Sequence, residues 1–447
     1  MDKDFLIKYL SERNYWWNTG KIEEYEKGIE RKDYISTINK ILNLNRIVCL
    51  VGIRRSGKTT LLFQLMDLLL GKNDPKRIVY VKIDDILSKI DNLRDITSVY
   101  HELTGIDPKS NRVYFLLDEI HFMKDWQLQI KYFIDSHYKS KFIVSGSSKT
   151  MLYKDASESL VGRIRFVDVF PLTFREFLRF NGMELNLKEG MEFKTIKENY
   201  YNLISKKEEI LHFLRLYLEV GAFPEWFRIK DRREWQKTLV DDYLSLILFK
   251  DIVHVFKVKD PLLLEKLIRE IATLSTNRFS YLSLSNRLDA DRETIKLYLY
   301  YLKASSLIYI SEVYFRRKKS RERLEKKMYF WEEGLRRALT LDDNEGKSIE
   351  NVVVWHLIKK GMKEKPFFEP FYWKNRGEVD FIFDGKKILP VEIKYRENPL
   401  QINSLIEFLD KFSIDKGVVV TKDFLDEKII KDKKILFIPA WLFLLYL

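Results

Sequence analysis

LVGIRRSGKTT, residues 50–60, is the stretch that decides the fold of this chain. It overlaps the end of the β-branched run Ile47–Val51, which is typical of a buried parallel strand, and leads into an apolar helical pattern over residues 59–66. Gly52 and Gly57 let the backbone wrap around an anion, so that successive N–H groups and the helix N-terminus point at it. The spacing Gly-x-x-x-x-Gly-Lys-Thr between a strand and a helix therefore predicts a triphosphate-binding loop.

Each polar residue of this loop has an expected role. Lys58 is expected to reach the β- and γ-phosphates, and the Thr59 hydroxyl is expected to bind Mg²⁺. The alternative is a glycine turn before an ordinary helix, with Lys58 in solvent. The residues predicted to contact the nucleotide are Gly52, Arg55, Ser56, Gly57, Lys58, Thr59 and Thr60.

Composition narrows the class of protein. The 447 residues have room for several domains, and 46% hydrophobic with 32% charged residues is a globular composition. The net charge of +13 favours a polyanionic partner, with nucleic acid the first candidate and an anionic membrane surface the second. The single cysteine, Cys49, lies in the first strand run and excludes a disulfide framework. We therefore expect a cytoplasmic protein without an export signal or a membrane span.

The segment from Arg46 to about Pro171 alternates β-branched runs with amphipathic helical patterns. This alternation predicts an α/β domain with a parallel sheet that is covered by helices on both faces. Ligands of such sheets bind beyond the carboxyl ends of the strands, where the phosphate loop falls.

Two acids follow the third strand run, YFLLDE. Asp118 is predicted to hold Mg²⁺ through water, and Glu119 is predicted to orient and polarise the attacking water. With the preceding loop, this pair favours nucleotide hydrolysis over binding alone.

Two further residues are candidates for contact with the phosphates, and each has an alternative interpretation. Ser147, in the Gly-Ser-Ser turn after the fourth run, either senses the γ-phosphate or belongs to a plain turn. Arg163, just before the fifth run, either neutralises transition-state charge, in its own subunit or a neighbouring one, or is a surface arginine.

Six motifs occur in order along the chain: Trp-Trp near the start, GIRRSGKTT, LLDEIHFMKDW, SGSS, LVGR and FPLTFREFL. Together they resemble the AAA-type ATPases of archaea and bacteria, which are relatives of the AAA+ and signal-transduction ATPases. GAFPE and LFKDI, after residue 220, are similar to the helical lid region of that family. The resemblance implies a P-loop NTPase sheet in the order 5-1-4-3-2, ATP as the nucleotide, and a C-terminal domain of unknown function. It also implies the roles of phosphate binder, metal holder, catalytic base and finger-type arginine for Lys58, Asp118, Glu119 and Arg163.

The pattern changes at Pro261. Helical segments on either side of an Asp-Ala-Asp turn precede two extended runs that are separated by the basic residues 316–321. This order describes a winged helix, whose second helix enters the major groove and whose wing contacts phosphates. The residues predicted to face DNA are Arg292, Thr294, Lys296 and Tyr300; the alternative is a winged helix that contacts protein.

A second constellation lies after Gly346. Glu350 opens a helical pattern, and Asp380 and Glu392 lie on two strands that a hairpin would bring together, with Lys394 on the same strand face as Glu392. The set resembles the PD-(D/E)xK restriction-endonuclease-like fold, in which Asp380 and Glu392 would bind Mg²⁺ or Mn²⁺ and all four residues would be catalytic. One departure is Glu378, two positions before Asp380 and without a preceding proline. The domain is either an active nuclease or a degenerate fold that is kept for docking.

These patterns predict five segments: an N-terminal helical segment (1–45), the ATPase domain (46–175), a helical lid (176–260), a winged helix (261–335) and a nuclease-like domain (340–447). We expect a Mg²⁺-dependent ATPase that acts on DNA, as a monomer or a homo-oligomer. Two alternatives remain: a nucleotide-controlled switch that binds a protein partner, and a nuclease for which ATP is only a permissive ligand.

Overall fold

The structure is a computed structural model that describes residues 2–44, 46–87, 89–90, 92–146, 152, 160–315, 324–340, 342–365, 368–396 and 399–447, with the backbone alone at 250, 251 and 254. Ser147 and the basic residues 316–321 lie outside the described residues. The chain divides into two units, Met1–Phe170 and Pro171–Leu447. Of the described helices, none combines the length and the apolar composition needed to cross a membrane.

The first unit alternates helices and strands. Its elements are α1 (Lys3–Arg13), α2 (Trp16–Thr19), α3 (Glu24–Lys27), α4 (Lys32–Leu42), β1 (Ile47–Val51), α5 (Lys58–Leu70), β2 (Ile78–Lys82), α6 (Ile83–Ile86), α7 (Leu93–Thr104), β3 (Tyr114–Asp118), α8 (Trp126–Asp135), β4 (Lys141–Gly146) and β5 (Ile164–Asp168), with 3-10 turns at Pro75–Arg77 and Ile120–Phe122.

The strands of this unit form one five-stranded sheet in the order β2-β3-β4-β1-β5, and every pair is parallel. This is the order 5-1-4-3-2 read from the other edge, so the predicted P-loop NTPase sheet is confirmed. Strand β1 is buried along its whole length: Cys49 packs into the core on one face, and Val48 packs into the core on the other. A sheet that is buried on both faces requires the continuous apolar runs seen in the sequence.

Trp16 and Trp17 fasten the N-terminal helices to this sheet. Both indole N–H groups donate to the carbonyl oxygen of Ile78 in β2, over 3.0 Å and 2.8 Å. Trp16 is fully buried. The pair therefore anchors the N-terminal segment to the sheet.

The second unit begins with helices. They are α9 (Phe174–Phe180), α10 (Phe193–Leu203), α11 (Lys207–Val220), α12 (Trp226–Ile229), α13 (Arg232–Lys237), two π-helical segments (Thr238–Leu244 and Leu246–Val253), α14 (His254–Phe256) and α15 (Pro261–Leu274). The described part of the predicted lid segment is therefore largely helical.

A three-stranded antiparallel sheet follows. Its elements are β6 (Arg278–Phe279), α16 (Tyr281–Leu288), α17 (Arg292–Ala304), β7 (Ile308–Ser311) and β8 (Lys326–Phe330), with the strand order β6-β8-β7. Strand β8 is the central strand, and its five residues are buried.

The C-terminal part contains a six-stranded mixed sheet. Its elements are α18 (Glu333–Thr340), α19 (Glu345–Glu364), β9 (Phe371–Lys374), β10 (Glu378–Asp384), β11 (Ile388–Lys394), α20 (Asn403–Phe412), β12 (Lys416–Thr421), β13 (Asp426–Ile430), β14 (Lys433–Pro439) and α21 (Ala440–Tyr446). The strand order is β13-β14-β12-β11-β10-β9. The antiparallel pair β10 and β11 is the predicted hairpin.

Candidate functional site

The loop between β1 and α5 has a shape that only particular residues can take. A Cβ atom on Gly52 would lie 2.1 Å from the carbonyl oxygen of Val169, which follows β5. Gly57 has a φ of 93° and Arg55 a φ of 65°, both in the left-handed region. The glycines therefore serve the tight curvature that the sequence predicts.

Polar groups of the loop face inward. Lys58 is 4% exposed, and its ammonium donates to the carbonyl oxygens of Gly52 at 3.0 Å and Ile53 at 3.2 Å. The hydroxyl of Ser56 is fully buried and has no hydrogen-bond partner among the described residues. Burying a polar group without a hydrogen-bond partner costs free energy. The buried Ser56 hydroxyl, two residues before Lys58, therefore suits a loop that binds an anion.

Arg31 supports the phosphate loop through contacts that no sequence pattern indicates. One guanidinium nitrogen of Arg31 donates to the carbonyl oxygens of Ser56 and Phe170, both at 3.0 Å. Its backbone N–H donates to the side-chain oxygen of Gln64 in α5 at 3.1 Å. Arg31 is thus tied to the loop, to the helix after it and to the segment after β5.

Asp118 lies at the carboxyl end of β3, next to the loop, and is fully buried. Its Oδ2 accepts hydrogen bonds from the Thr59 hydroxyl at 2.6 Å and from the Tyr80 hydroxyl at 2.9 Å. Its Oδ1 accepts from the hydroxyl of Ser145 in β4. The structure therefore brings Thr59 and Asp118 together as predicted, and the oxygen donors of this pair fit Mg²⁺, which prefers oxygen ligands.

Tyr80 and Ser145 are polar partners of Asp118 that the sequence reading missed. Burial and the charge of Asp118 keep the pKa of Tyr80 well above its ordinary value, so the phenol stays a donor. Both residues lie in strands next to β3, and only the sheet order makes them neighbours of Asp118.

Glu119 begins the turn after β3 in a strained conformation, with a φ of 54°. Its backbone N–H donates to the Ser145 hydroxyl at 3.0 Å. One carboxylate oxygen of Glu119 lies 3.3 Å from Nδ1 of His121, whose side chain is buried. The predicted role of Glu119 as the base for an attacking water stays a prediction.

His121 also lies near the end of β4. A Cβ atom on Gly146 would come 3.2 Å from Nδ1 of His121 and 2.6 Å from a methyl group of Leu152. Ser147 is the next residue, and its predicted role as a phosphate sensor stays a prediction because it lies outside the described residues.

Arg163 lies just before the start of β5, at the opposite end of the strands from the phosphate loop. Its carbonyl oxygen accepts from the N–H of Ile47 at the start of β1, whereas the loop follows the end of β1. At about 3.3 Å per residue, the five-residue strand β1 separates its two ends by roughly 16 Å. The guanidinium pairs with Asp135 at 3.0 Å. In this conformation Arg163 is not placed at the phosphates of its own chain, and a role in a neighbouring subunit stays a prediction.

The second constellation lies in the C-terminal part, and a lysine fills its centre. The ammonium of Lys327, in β8, lies 2.7 Å from Glu350 of α19, 2.5 Å from Glu378 and 3.1 Å from Asp380, both of β10. Lys327 is 2% exposed. Burial lowers the pKa of this ammonium, but the charges of the surrounding carboxylates raise the pKa by a larger amount. The pKa of Lys327 is therefore well above its ordinary value. Neither Lys327 nor Glu378 was among the predicted site residues.

The predicted hairpin contacts are present. The register that pairs Phe381 with Val391 places Asp380 opposite Glu392, and Oδ2 of Asp380 accepts from the N–H of Ile393 at 2.8 Å. The ammonium of Lys394 lies 2.6 Å from Oε1 of Glu392, so both side chains share one face. Burial raises the pKa of Glu392 to about 7, against the opposing charge of Lys394.

A bulge interrupts the pairing of β10 with β9 between Val379 and Ile382, where Asp380 lies. Bulges of this kind re-aim side chains and occur next to active sites. Nevertheless, among the residues that the structure describes, no group of three or more His, Cys, Asp or Glu side chains is arranged to hold a metal ion.

Helix α17 carries the residues predicted to face DNA. Arg292 and Tyr300 are exposed, and Lys296 is partly exposed, four residues from each of them. This spacing puts the three side chains on one helix face. Thr294 instead donates its backbone N–H and its hydroxyl to the carboxylate of Asp291, the N-cap residue of α17, and Lys296 pairs with Glu293 at 2.8 Å.

Three protein-family models match separate parts of the chain. Residues 44–178 match the model of an AAA domain. Residues 211–346 and 345–443 match two domains of unknown function, DUF8612 and DUF4143. The first match and the sheet order together identify this part of the chain as an AAA-type P-loop ATPase domain with an ATP-binding site.

Relatives of similar length exist in archaea and bacteria. The chain is 26% identical over 416 residues to an uncharacterised protein of Methanocaldococcus jannaschii, covering 89% of this chain and 88% of the relative. It is 23% identical over 426 residues to an uncharacterised protein of Haemophilus influenzae, covering 93% and 98%.

Two solved structures are also similar. A Walker-type ATPase of Pyrococcus abyssi has a TM-score of 0.43 at 14% identity and covers 70% of this chain and 96% of its own. AMPPCP-bound DnaA from Aquifex aeolicus has a TM-score of 0.28 at 16% identity and covers 61% and 87%.

Proposed function

We propose that the first unit hydrolyses ATP with Mg²⁺ and that the second unit binds DNA under the control of this cycle. The observation that carries the ATPase proposal is the fully buried Asp118 carboxylate, which accepts from Thr59 at the start of α5. This contact joins the phosphate loop to the strand that ends in the two acids. ATP binding without turnover would not need a positioned base such as Glu119.

The residues of the first unit have distinct roles in this proposal. Loop N–H groups and Lys58 bind the phosphates, and Lys58 exchanges its contacts with the carbonyl groups of Gly52 and Ile53 for phosphate oxygens. Thr59 and Asp118 would hold Mg²⁺, which neutralises charge on the phosphate oxygens when it is bound. Glu119 orients the attacking water and accepts its proton, and His121 positions the Glu119 carboxylate.

The test of the ATPase proposal is Glu119→Gln. This variant should bind an ATP analogue like the wild type and lose ATP turnover, because the amide cannot accept the proton. The matched control is Glu102→Gln, since Glu102 lies on α7 and pairs with Lys3 at the surface. Normal turnover in Glu119→Gln would show that Glu119 is not the base.

The DNA-binding part of the proposal is supported by charge and by helix α17. The chain carries a net charge of +13, and Arg292, Lys296 and Tyr300 share one face of α17. The element order α15-β6-α16-α17-β7-β8 is also that expected for a winged helix. Phosphate contacts by such residues make affinity fall steeply with salt.

DNA binding is tested by fluorescence anisotropy with duplex and single-stranded DNA at several salt concentrations. Arg292→Ala/Lys296→Ala should weaken binding and make the slope of log affinity against log salt shallower by about one to two. The matched control is Lys188→Ala/Lys194→Ala, which removes two cations from another exposed part of the second unit. Equal binding by all three proteins would contradict the proposed DNA-binding face.

A nucleotide-controlled scaffold that binds a protein partner through the second unit is the second candidate. It is favoured by Lys327, whose ammonium already binds Asp380, one of the two acids predicted to hold a nuclease metal, together with Glu350. For the same reason, metal-dependent DNA cleavage is not part of the proposal.

A further inference from the structure

We infer that Lys327 is the resident cation of the C-terminal acid cluster, defined as Glu350, Glu378 and Asp380. Its ammonium takes the place of a divalent metal ion, and its removal opens a site for Mn²⁺ or Mg²⁺. The inference is independent of the proposed ATPase and DNA-binding functions.

Carboxylates surround the ammonium of Lys327. Three carboxylates from a helix and a strand converge on one nitrogen, at 2.5–3.1 Å. The lysine side chain is 3% exposed, and the acids are 14–27% exposed. The Tyr329 hydroxyl also donates to Oε1 of Glu350 at 3.0 Å, which fixes that carboxylate from the same strand. A lysine on the exposed surface of a hairpin would instead keep its ammonium in water.

A buried carboxylate next to the cluster points to the same conclusion. Glu392 is 1% exposed and lies opposite Asp380 in the hairpin. Its Oε1 pairs with Lys394, but its Oε2 has no hydrogen-bond partner among the described residues. An unpartnered carboxylate oxygen beside Asp380 offers a further oxygen ligand, of the type that Mg²⁺ and Mn²⁺ prefer.

Charge balance explains why one cation must be present. Like charges in contact repel, and a buried carboxylate without a counter-charge is strongly destabilising. Lys327 contributes one positive charge, and Arg278 adds a second at 3.4 Å from Glu378. Arg278 remains when Lys327 is removed, and a divalent ion would then restore the positive charge that the ammonium supplied.

An ammonium and a metal ion differ in chemistry. Lys327 has no open coordination position, so it cannot bind a water molecule and lower its pKa as a metal ion does. The acid cluster of the wild-type chain therefore holds β8 against α19 and β10 and does not activate water.

The test compares Mn²⁺ binding by the full chain and its Lys327→Ala variant. All proteins carry Asp118→Asn, which removes the metal-binding carboxylate of the ATP site. Electron paramagnetic resonance of free Mn²⁺ counts bound ions, and the melting temperature is followed against Mn²⁺ concentration. Lys327→Ala should bind one more Mn²⁺ ion per chain than its parent, and its melting temperature should rise with the logarithm of Mn²⁺ concentration. The parent should show neither effect.

Two further variants separate the site from a general change in charge. Lys327→Arg keeps a cation in the cluster and should gain no Mn²⁺ ion. Lys327→Ala/Asp380→Asn lacks one ligand and should lose the gained ion. The inference is overturned if the parent binds as many ions as Lys327→Ala, or if Lys327→Ala gains none. Failure of Lys327→Ala to fold at any Mn²⁺ concentration would also overturn it, because a metal ion would then not replace the ammonium.

Discussion

The hydroxyl of Tyr80 in β2 donates a hydrogen bond to the carboxylate of Asp118 in β3 over 2.9 Å. This contact orients the acid that is expected to hold Mg²⁺. Removing a hydrogen bond to a charged group costs about 1.5–3 kcal/mol, which corresponds to a factor of roughly ten to 150 in rate.

Tyr80→Phe should therefore lower kcat for ATP by at least about tenfold and raise the Mg²⁺ concentration needed for half-maximal turnover. The measurement is steady-state ATP hydrolysis across a Mg²⁺ titration. Tyr100→Phe is the control, because the Tyr100 hydroxyl donates to the backbone carbonyl of Lys76. An unchanged Mg²⁺ dependence in Tyr80→Phe would mean that Tyr80 only packs.

His121→Ala should lower kcat by about tenfold while KM for ATP stays within about twofold, because the Glu119 carboxylate loses the imidazole that lies 3.3 Å away. Steady-state kinetics with ATP separate the two constants. His101→Ala removes an exposed imidazole from α7 and should leave both unchanged. A rise in KM with unchanged kcat would instead assign His121 to nucleotide binding.

Gly52→Ala should abolish nucleotide binding and lower the free energy of unfolding by about 1–3 kcal/mol. The added methyl group would lie 2.1 Å from the carbonyl oxygen of Val169, so the loop or β5 has to move. Urea unfolding and binding of a fluorescent ATP analogue give the two quantities. Gly71→Ala is the control, because Gly71 has helical φ and ψ, and its added Cβ would meet only one atom, at 3.6 Å.

Arg163→Ala should lose turnover if the arginine serves a neighbouring subunit, and mixing it with Glu119→Gln should restore part of the activity. In the mixed assembly, the Glu119→Gln subunit supplies the arginine and the Arg163→Ala subunit supplies the base. ATP turnover is measured at several mixing ratios. Full activity of Arg163→Ala alone would mean that Arg163 only pairs with Asp135, as it does in this structure.

His356 should make the second unit sensitive to acid. Its Nε2 accepts from the N–H of Phe174 at 3.1 Å, its Nδ1 contacts the carbonyl of Val352 at 2.9 Å, and burial lowers its pKa from 6.5 to about 3. Between these two pKa values the unfolded chain binds a proton that the native chain does not. The free energy of unfolding therefore falls as pH falls through this window, by up to about 1.4 kcal/mol per pH unit.

The check is urea unfolding of the wild type and His356→Gln from pH 7 to pH 4. The variant should be less stable at pH 7 but should lose less stability on acidification. His212→Gln, at an exposed position of α11, should follow the wild type. Equal acid dependence of the wild type and His356→Gln would show that His356 is not the group responsible.

The ATP site was largely readable from sequence because its parts follow local rules. The phosphate loop is a continuous motif, and the carboxyl ends of parallel strands meet at one edge of the sheet, which brings Thr59 to Asp118. Tyr80 and Arg31 were missed because their contacts depend on strand order and on packing between distant segments. The distance between Arg163 and its own phosphate loop also required the register of β5 on β1.

The C-terminal acids show a different limit of sequence reading. The hairpin that places Asp380 opposite Glu392 follows from strand alternation and was predicted correctly. Lys327 lies just after a basic run and looks like part of a solvated charge cluster. Its position among three acids arises only when β8 packs beside α19 and β10.

The cation in the acid cluster belongs to the polypeptide itself, so chelators cannot extract it and competing ions cannot exchange with it. Its stoichiometry is fixed at translation. The fastening of β8 to α19 and β10 is therefore independent of how much magnesium or manganese the surroundings provide.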